Sequence, residues 1–280
     1  MIEEQLNKYE KPVVACSWGK DSLTVLHLVS RVTSDFQVLW NNTGVHYPSV
    51  YKIKDKLEEE WNLDIVETKY NKSFWQIVDE YGWPGVNGSD RKDRANAACC
   101  YNIKKKPTKE AIKENEWDLY FDGLTAYESN RRWLNLNEYG LVHDHKGFGL
   151  RKVHPVGFWR VNDIWDYIEK HNIPYPDLYD NEVDNWTRRG YEEEVCGHKT
   201  DRAIRNGCWT CTLGLKMGDF KMKHLRKYYP QLWKTLMEKG LAKEIAKVKL
   251  GGQGSLVDGY FTEESQDYWL KNRPCFFDTI

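Results

Sequence analysis

The apolar run Pro12-Val13-Val14-Ala15-Cys16 leads straight into Ser17-Trp18-Gly19-Lys20-Asp21-Ser22. The next segment, Leu23-Thr24-Val25-Leu26-His27-Leu28-Val29, has helical apolar spacing. A buried strand, a short polar glycine turn and a helix in that order bring backbone N–H groups and the positive end of the helix dipole to one point, an arrangement that holds phosphate. Lys20 adds a point charge for phosphate oxygens, Asp21 suits a phosphate-bound magnesium ion, and the Ser17 and Ser22 hydroxyls can donate hydrogen bonds. The turn is not a Walker loop, because Gly-x-x-x-x-Gly-Lys-[Ser/Thr] is absent and a single glycine precedes the lysine. The expectation is a nucleotide site other than one for kinase-type γ-phosphoryl transfer. The competing reading is a plain strand-to-helix turn in which Gly19 supplies backbone freedom and Ser22 caps the helix.

Short apolar runs alternate with helical patterns through the first two thirds of the chain. Val13 to Cys16, Phe36 to Trp40, Ile65 to Glu67 and Leu119 to Asp122 read as strands. Lys52 to Trp61, Phe74 to Tyr81, Lys105 to Asn115 and Val161 to His171 read as the helices between and after them. Such alternation predicts an α/β fold with a doubly wound, mostly parallel sheet that binds ligands at the carboxyl ends of its strands. After about Asp180 a polar stretch, Asn181 to Asn206, precedes Gly207-Cys208-Trp209-Thr210-Cys211 and an amphipathic helix expected from about Lys221 to Lys239. The expected division is a nucleotide-binding α/β domain over 1–190 and, over 191–280, a cysteine-cluster segment with helices and a tail that carries Cys275.

With 41 Lys and Arg against 42 Asp and Glu, the chain has no global basic field, so any contact with DNA or tRNA must be local. Lys104 to Lys106, and Lys221, Lys223, Arg226 and Lys227, are the candidate basic patches. The start Met1-Ile2-Glu3-Glu4-Gln5 lacks an export signal and no apolar run approaches bilayer length, so a cytoplasmic location is expected. The thirteen tryptophans read as core or subunit-contact residues, and a homo-oligomer or another partner chain is plausible.

Seven cysteines, an odd number, argue against a disulfide framework in such a compartment. Cys208-x-x-Cys211 is a compact chelating pair. Cys99 and Cys100 lie beside Lys104, Lys105 and Lys106, and Cys196 is a further candidate ligand. Adjacent cysteines point apart, so a mononuclear site would more easily use one of the pair. Four thiolates suit a [4Fe-4S] cluster or a structural zinc, and redox or unliganded thiols complete the alternatives. Cys16 reads as a core residue of the first strand.

The glycine turn, the cysteine elements and three further segments together resemble the phosphoadenosine phosphosulfate (PAPS) reductase family of PP-loop proteins, from about Pro12 to Tyr229. Asn42-Thr43-Gly44-Val45-His46-Tyr47-Pro48 is similar to the family's strand-end segment with Thr-Gly and a nearby proline. Gly123-Leu124-Thr125-Ala126-Tyr127-Glu128-Ser129-Asn130-Arg131-Arg132 resembles its Gly-x-x-x-x-Glu-Ser-x-x-Arg segment, which borders the nucleotide. Asp163 to Ile168, followed by Asn172-Ile173-Pro174-Tyr175 and Leu178-Tyr179, resembles its helix and following turn.

The resemblance implies an adenine nucleotide alpha-hydrolase-like fold with nucleotide contacts from Ser17, Trp18, Gly19, Lys20, Asp21, Ser22, Thr43, Gly44, Gly123, Glu128 and Arg132. Lys20, Asp21 and Arg131 are the implied catalytic residues. Guanidinium forks suit phosphate bidentately, which gives Arg131 and Arg132 a physical rationale; a solvated helix face is the alternative. Asp122 and Thr125, at a strand end, are further candidates to line the site. Trp18 departs from the second glycine usual in PP-loops.

Within the family, the Lys-Asp-Ser ending resembles the ATP pyrophosphatases, and its combination with Gly207-Cys208-Trp209-Thr210-Cys211-Thr212 looks closest to the iron-sulfur ATP pyrophosphatases of DNA phosphorothioation, in the Dnd and Ssp systems. That implies ATP, magnesium, adenylyl transfer to an acceptor oxygen with pyrophosphate release, and sulfur from a cysteine desulfurase or other sulfur-relay protein. The double-cysteine pattern equally resembles adenylyl sulfate reductases, which release sulfite through a tail cysteine, here Cys275, although the family's Glu-Cys-Gly-x-His is absent around it. Thiolation of tRNA and nucleotide sensing without turnover are the remaining alternatives.

Overall fold

In the computed structural model, residues 1–84, 98–195, 197–211 and 220–241 are described. They fall into two compact units, Met1–Asn71 with Ile103–Cys208, and Lys72–Asn102 with Trp209–Ile280.

The first unit opens with a short helix α1 (Ile2–Leu6) and is built on six strands: β1 (Pro12–Ala15), β2 (Gln37–Asn41), β3 (Ile65–Thr68), β4 (Leu119–Asp122), β5 (Val142–His145) and β6 (Leu150–Val153). Their order in the sheet is β3-β2-β1-β4-β6-β5. All neighbours are parallel except β5 and β6, which form an antiparallel hairpin. The four strands expected from apolar runs are β1 to β4; the β5–β6 hairpin was not expected because His143, Asp144, His145, Arg151 and Lys152 give it no apolar pattern.

Helices α2 (Lys20–Ser30), α3 (Pro48–Glu60), α5 (Lys106–Asn115), α6 (Asn130–Tyr139) and α7 (Val161–Lys170) flank that sheet, and α4 (Phe74–Tyr81) lies in the second unit. The start of α3 lies four residues before the expected Lys52, because Pro48 takes the first helical position, where its missing N–H costs nothing and its φ is preset. Val13, Leu39 and Tyr120 from the strands pack with Ala111, Ile112 and Trp117 from α5 and its exit, and α2 packs against α7. In the polar stretch, β7 (Tyr191–Val195) and β8 (His198–Arg202) pair as a two-stranded ribbon. Cross-strand ion pairs such as Lys199–Glu192 at 3.3 Å supply what apolar alternation normally would.

In the second unit, Phe74, Trp75, Trp83 and Trp209 form a chain of ring contacts with centroids 5.1–6.0 Å apart. Several of the thirteen tryptophans are therefore core material. The single helix expected from Lys221 to Lys239 is two, α8 (Phe220–Tyr228) and α9 (Pro230–Glu238). Pro230 cannot continue the first because it lacks an N–H and its ring crowds the preceding turn, so it opens the second. Among the described residues, no helix is long and apolar enough to cross a membrane.

β1 has β2 on one side and β4 on the other, so the chain reverses its winding there, and the crevice at the carboxyl ends of β1 and β4 is the switch point where such sheets take ligands. β4 ends in Asp122, whose carboxylate meets Lys152 Nζ at 2.8 Å and His154 Nδ1 at 2.5 Å and accepts from the Leu124 N–H at 3.1 Å. Burial by itself pushes this carboxyl up, but the Lys152 and His154 charges override it and hold it far below the usual carboxylate range. Asp122 is thus tied to the frame at the base of the crevice.

A folded-state carboxyl held low stabilises the fold above its unfolded pKa and loses that contribution as the pH falls. Asp122→Asn is expected to cost on the order of 3 kcal/mol at pH 7. The gap from wild type should narrow once the pH drops below about 4, read as denaturation midpoints across a pH series.

Candidate active site

Strand β1 ends at Ala15, and Cys16 to Gly19 turn the chain into α2. Cys16 is buried, and that burial pushes its thiol up to about 12, as befits a core residue. Trp18 has φ 59°, the left-handed region that favours glycine. The tryptophan that departs from the family's glycine therefore keeps a glycine-like backbone, at a cost of about 1 kcal/mol. Its fully buried indole, edge-on to Trp40 with centroids 6.4 Å apart, more than offsets that strain.

Hydroxyls shape the rest of the turn. Ser22 Oγ accepts from the Ser17 N–H at 3.1 Å, donates to the Gly19 carbonyl at 3.0 Å, and lies 3.3 Å from Ser17 Oγ. The Lys20 N–H, one of the open donors at the start of α2, donates to the Tyr179 hydroxyl at 3.1 Å. Burial, reinforced by the Asp21 charge, pushes that hydroxyl's pKa up, so it stays protonated. A Cβ on Gly19 would stand 3.1 Å from both Tyr179 Oη and Asn206 Cβ, so these two side chains lie close against the turn. Gly123 is tighter: a Cβ there would lie 2.7 Å from the Asp21 carbonyl carbon and the Ser22 nitrogen. The exit of β4 is thereby pressed against the first turn of α2.

A shallow cleft opens beside this junction, lined among others by Lys20, Asp21, Thr125, Glu128, Asp201 and Arg205. Lys20 is only 4% exposed, and its ammonium sits 2.6 and 2.7 Å from the two Asp21 carboxylate oxygens. Glu128 is paired with Arg132, and Asp201 with Arg160 Nη2 at 2.7 Å and the Val161 N–H at 2.9 Å. Each carboxylate of the lining thus has its own cation. Arg205 is different: among the described residues it donates to the Glu128 and Asp201 carbonyls and pairs with no carboxylate. Burial, then the Arg202 charge, pushes its pKa down to about 10, which leaves it cationic at neutral pH. Arg132 is pushed down as well, by burial and by Arg205, against the pull of Asp21 and Asp122.

The structure therefore gathers Ser17, Trp18, Gly19, Lys20, Asp21, Ser22, Gly123, Glu128 and Arg132 around one junction. Arg131 stands exposed on the first turn of α6 and is not in the cleft lining, a place that Arg205 takes. Thr43 and Gly44 are not in that lining either; they form a turn after β2, with Gly44 at φ 71° and its N–H on Asn42 Oδ1 at 3.0 Å. Arg205, Asn206 and Tyr179 were not assigned to the site from sequence. The one available signal was the position of Arg205 and Asn206 directly ahead of Gly207-Cys208-x-x-Cys211.

Of the candidate metal ligands, Cys208 closes the first unit, where its Sγ lies 3.5 Å from Thr43 Oγ1 and its backbone bridges that of His46. His46 is 6% exposed and its Nδ1 has no hydrogen-bond partner. Burial pushes His46 down to about 4, so its ring is neutral and fit to donate or to ligate. Cys99, buried, and Cys100 and Cys211, half-buried, belong to the second unit. Cys196 and Cys275 lie outside the described residues. Among the described residues, no three His, Cys, Asp or Glu side chains form a metal-binding group.

A strand, a glycine turn and a helix N-terminus at the switch point of a parallel sheet, with cations converging on a polar cleft, define a nucleotide-binding α/β protein. The phosphoadenosine phosphosulfate reductase domain matches residues 11–214, and the chain belongs to that family. It is 30% identical over 207 residues to adenosine 5'-phosphosulfate reductase of Lysinibacillus sphaericus, covering 70% of this chain and 78% of the relative. It is 29% identical over 169 residues to the enzyme of that name from Staphylococcus haemolyticus, covering 60% and 65%. An uncharacterized protein of Methanocaldococcus jannaschii is 26% identical over 263 residues, 92% of this chain and 47% of the relative, so the chain spans about half the length of that one.

Two substitutions probe the junction. Gly123→Ala forces backbone apart and is expected to cost about 2 kcal/mol. Trp18→Gly relieves the left-handed strain but empties a buried indole site, for a net loss of about 2–3 kcal/mol. Chemical denaturation reads both.

Proposed function

We propose that this chain binds magnesium ATP in the cleft and transfers the adenylyl group to an acceptor oxygen, releasing pyrophosphate, so that sulfur can enter at the activated position. The observation that carries this reading is the pairing of every cleft carboxylate with a cation. A bare anion would have to displace Asp21 and Glu128 and leave them uncompensated in a poorly hydrated crevice. A polyphosphate that arrives with magnesium instead lets the pairs exchange partners. Lys20 and Arg132 turn to phosphate oxygens, and Asp21 and Glu128 are the oxygen donors available to the metal. Asp201 stays locked by Arg160 and the Val161 N–H.

In this mechanism magnesium supplies charge neutralisation across the phosphates. The Lys20 ammonium and Arg205 stabilise the charge that develops on the departing pyrophosphate as the acceptor oxygen attacks the α-phosphorus. Tyr179, held on the Lys20 amide, fixes the start of α2 so that the ammonium is delivered to the same point in each turnover. Four of the candidate thiolates Cys99, Cys100, Cys196, Cys208 and Cys211 would suit a [4Fe-4S] cluster, with zinc as the other soft-metal choice. A cysteine desulfurase is the natural sulfur donor, and a DNA backbone phosphate is the acceptor we favour, by analogy within the family. The basic α8 offers a local surface for nucleic acid.

A second reading has its own support: relatives of 29–30% identity are named adenosine 5'-phosphosulfate reductase. In that chemistry a thiolate attacks the sulfate sulfur, AMP leaves, and a second thiol cleaves the thiosulfonate to release sulfite.

Anaerobically purified protein, incubated in parallel with magnesium ATP and with adenylyl sulfate, each in the presence of a dithiol reductant, separates the two. Pyrophosphate from ATP, abolished by a magnesium chelator and lowered about a hundredfold by Lys20→Ala, is the expected result. Sulfite from adenylyl sulfate without added metal, lost in Cys275→Ser, would overturn it. Arg205→Ala is expected to raise the KM for ATP about tenfold, since one charge-assisted contact is lost in a poorly hydrated site.

A further inference from the structure

Within four successive residues near the end of the first unit, three touch the turns that follow three parallel strands. Arg205 donates to the Glu128 carbonyl in the turn that follows β4. Asn206 Nδ2 donates to the Ser17 carbonyl at 2.8 Å, in the turn that follows β1. Gly207 folds back through its N–H onto Asn206 Oδ1 at 2.6 Å. Cys208 then bridges His46 and places its Sγ 3.5 Å from Thr43 Oγ1, in the turn that follows β2. The segment runs across the carboxyl edge of the sheet as a strap, and it lies close against Gly19.

We propose that this strap couples the phosphate-binding turn to Cys208, with Asn206 as the positioning residue between them. The inference rests on the nucleotide reading above and adds to it a path along which occupancy of the cleft is felt at the cysteine.

The physical argument runs through two short, directional contacts. The Asn206 amide holds the Ser17 carbonyl with one end and the Gly207 N–H with the other, so a shift of the turn is passed to the residue that precedes Cys208 without slack from a rotatable bond. Arg205 takes no carboxylate among the described residues, so it is the strap residue free to turn from the Glu128 carbonyl toward a phosphate. Such a move at the first residue of the strap changes the tension on the bridge at its last. The far end is a place where a small displacement matters: the buried thiol lies against the buried Thr43 hydroxyl, and packed polar groups of this kind have discrete rather than continuous arrangements. Because linkage is reciprocal, whatever state Cys208 is in must bias nucleotide affinity by the same factor.

The test is hydrogen exchange on the full chain, read at peptides that contain Thr43 to Tyr47 and Gly207 to Cys208, with and without saturating magnesium ATP. Calorimetry on the same samples establishes binding. In wild type, ATP is expected to slow exchange at the His46–Cys208 bridge about fivefold or more. Asn206→Ala and Asn206→Asp both remove the donor to Ser17, and Asp keeps the acceptor for Gly207; both should still give heat with ATP while the bridge ceases to respond. Bridge protection that persists in both variants overturns the strap, as does ATP heat in wild type with no change at the bridge. Absence of heat in wild type with both ATP and adenylyl sulfate overturns the nucleotide reading itself.

Discussion

A lysine ammonium buried where β1 meets α2 is what the rest of this site is arranged around. With 4% of its surface exposed, Lys20 cannot be left unpaired, and both Asp21 oxygens close on it in the absence of another anion. That pairing requires the first turn of α2 to be held in one place. Gly123 presses on it from β4, Tyr179 caps its first amide, and Ser22 knots the turn to Ser17 and Gly19. Asp122, one residue before Gly123, is anchored by Lys152 and His154, so the pressure from β4 has a fixed origin. The same constraint explains why the resting cleft is close to charge balance: an uncompensated cation would be costly when empty, and a pair that can be exchanged is ready for a ligand that carries both signs.

The central motif was legible because its parts are contiguous. A strand, a polar turn and a helix within Pro12 to Ser30 leave the backbone few choices, and the chemistry of Lys20 and Asp21 follows from where the helix begins. What escaped the sequence depends on long-range closure. Tyr179 and Asn206 lie 159 and 189 residues from their partners in the turn, and no periodicity records such contacts. Arg205 sat at the end of a stretch that reads as polar loop because the β7–β8 ribbon is held by charge pairs, not by alternating apolar residues. Arg131 and Arg132 look alike in sequence, yet one helical step separates an exposed guanidinium from one paired with Glu128. Trp18 was legible as a departure from a glycine pattern. Its left-handed φ shows why glycine is the residue expected there, and Trp40 shows how a large side chain is nonetheless accommodated.

Membership of the phosphoadenosine phosphosulfate reductase domain family fixes the kind of nucleotide chemistry open to the chain without selecting among its members. The selection turns on charge. Adenylyl sulfate carries fewer negative charges than a triphosphate and brings no metal of its own, so it offers Asp21 and Glu128 nothing in exchange for their cations. A metal-bound triphosphate does. This is an argument about the difference between two ligands in one cleft, which is how specificity is decided, and it is independent of which cysteines bind metal.

The strap gives the cysteines a place in that argument. Cys208 ends the first unit and Cys211 falls in the second, so the Cys-x-x-Cys pair spans the boundary between the two compact bodies in sequence. Cys208 is tied, through Gly207, to Asn206, which holds the turn between β1 and α2. Sulfur chemistry that must wait for an activated acceptor needs this kind of ordering, because a sulfur carrier that reacts before the acceptor is primed loses its cargo to water or to another thiol. On the proposed reading a four-residue link would serve that ordering with no added domain: Arg205, which lines the cleft, and Cys208 are three residues apart on one segment.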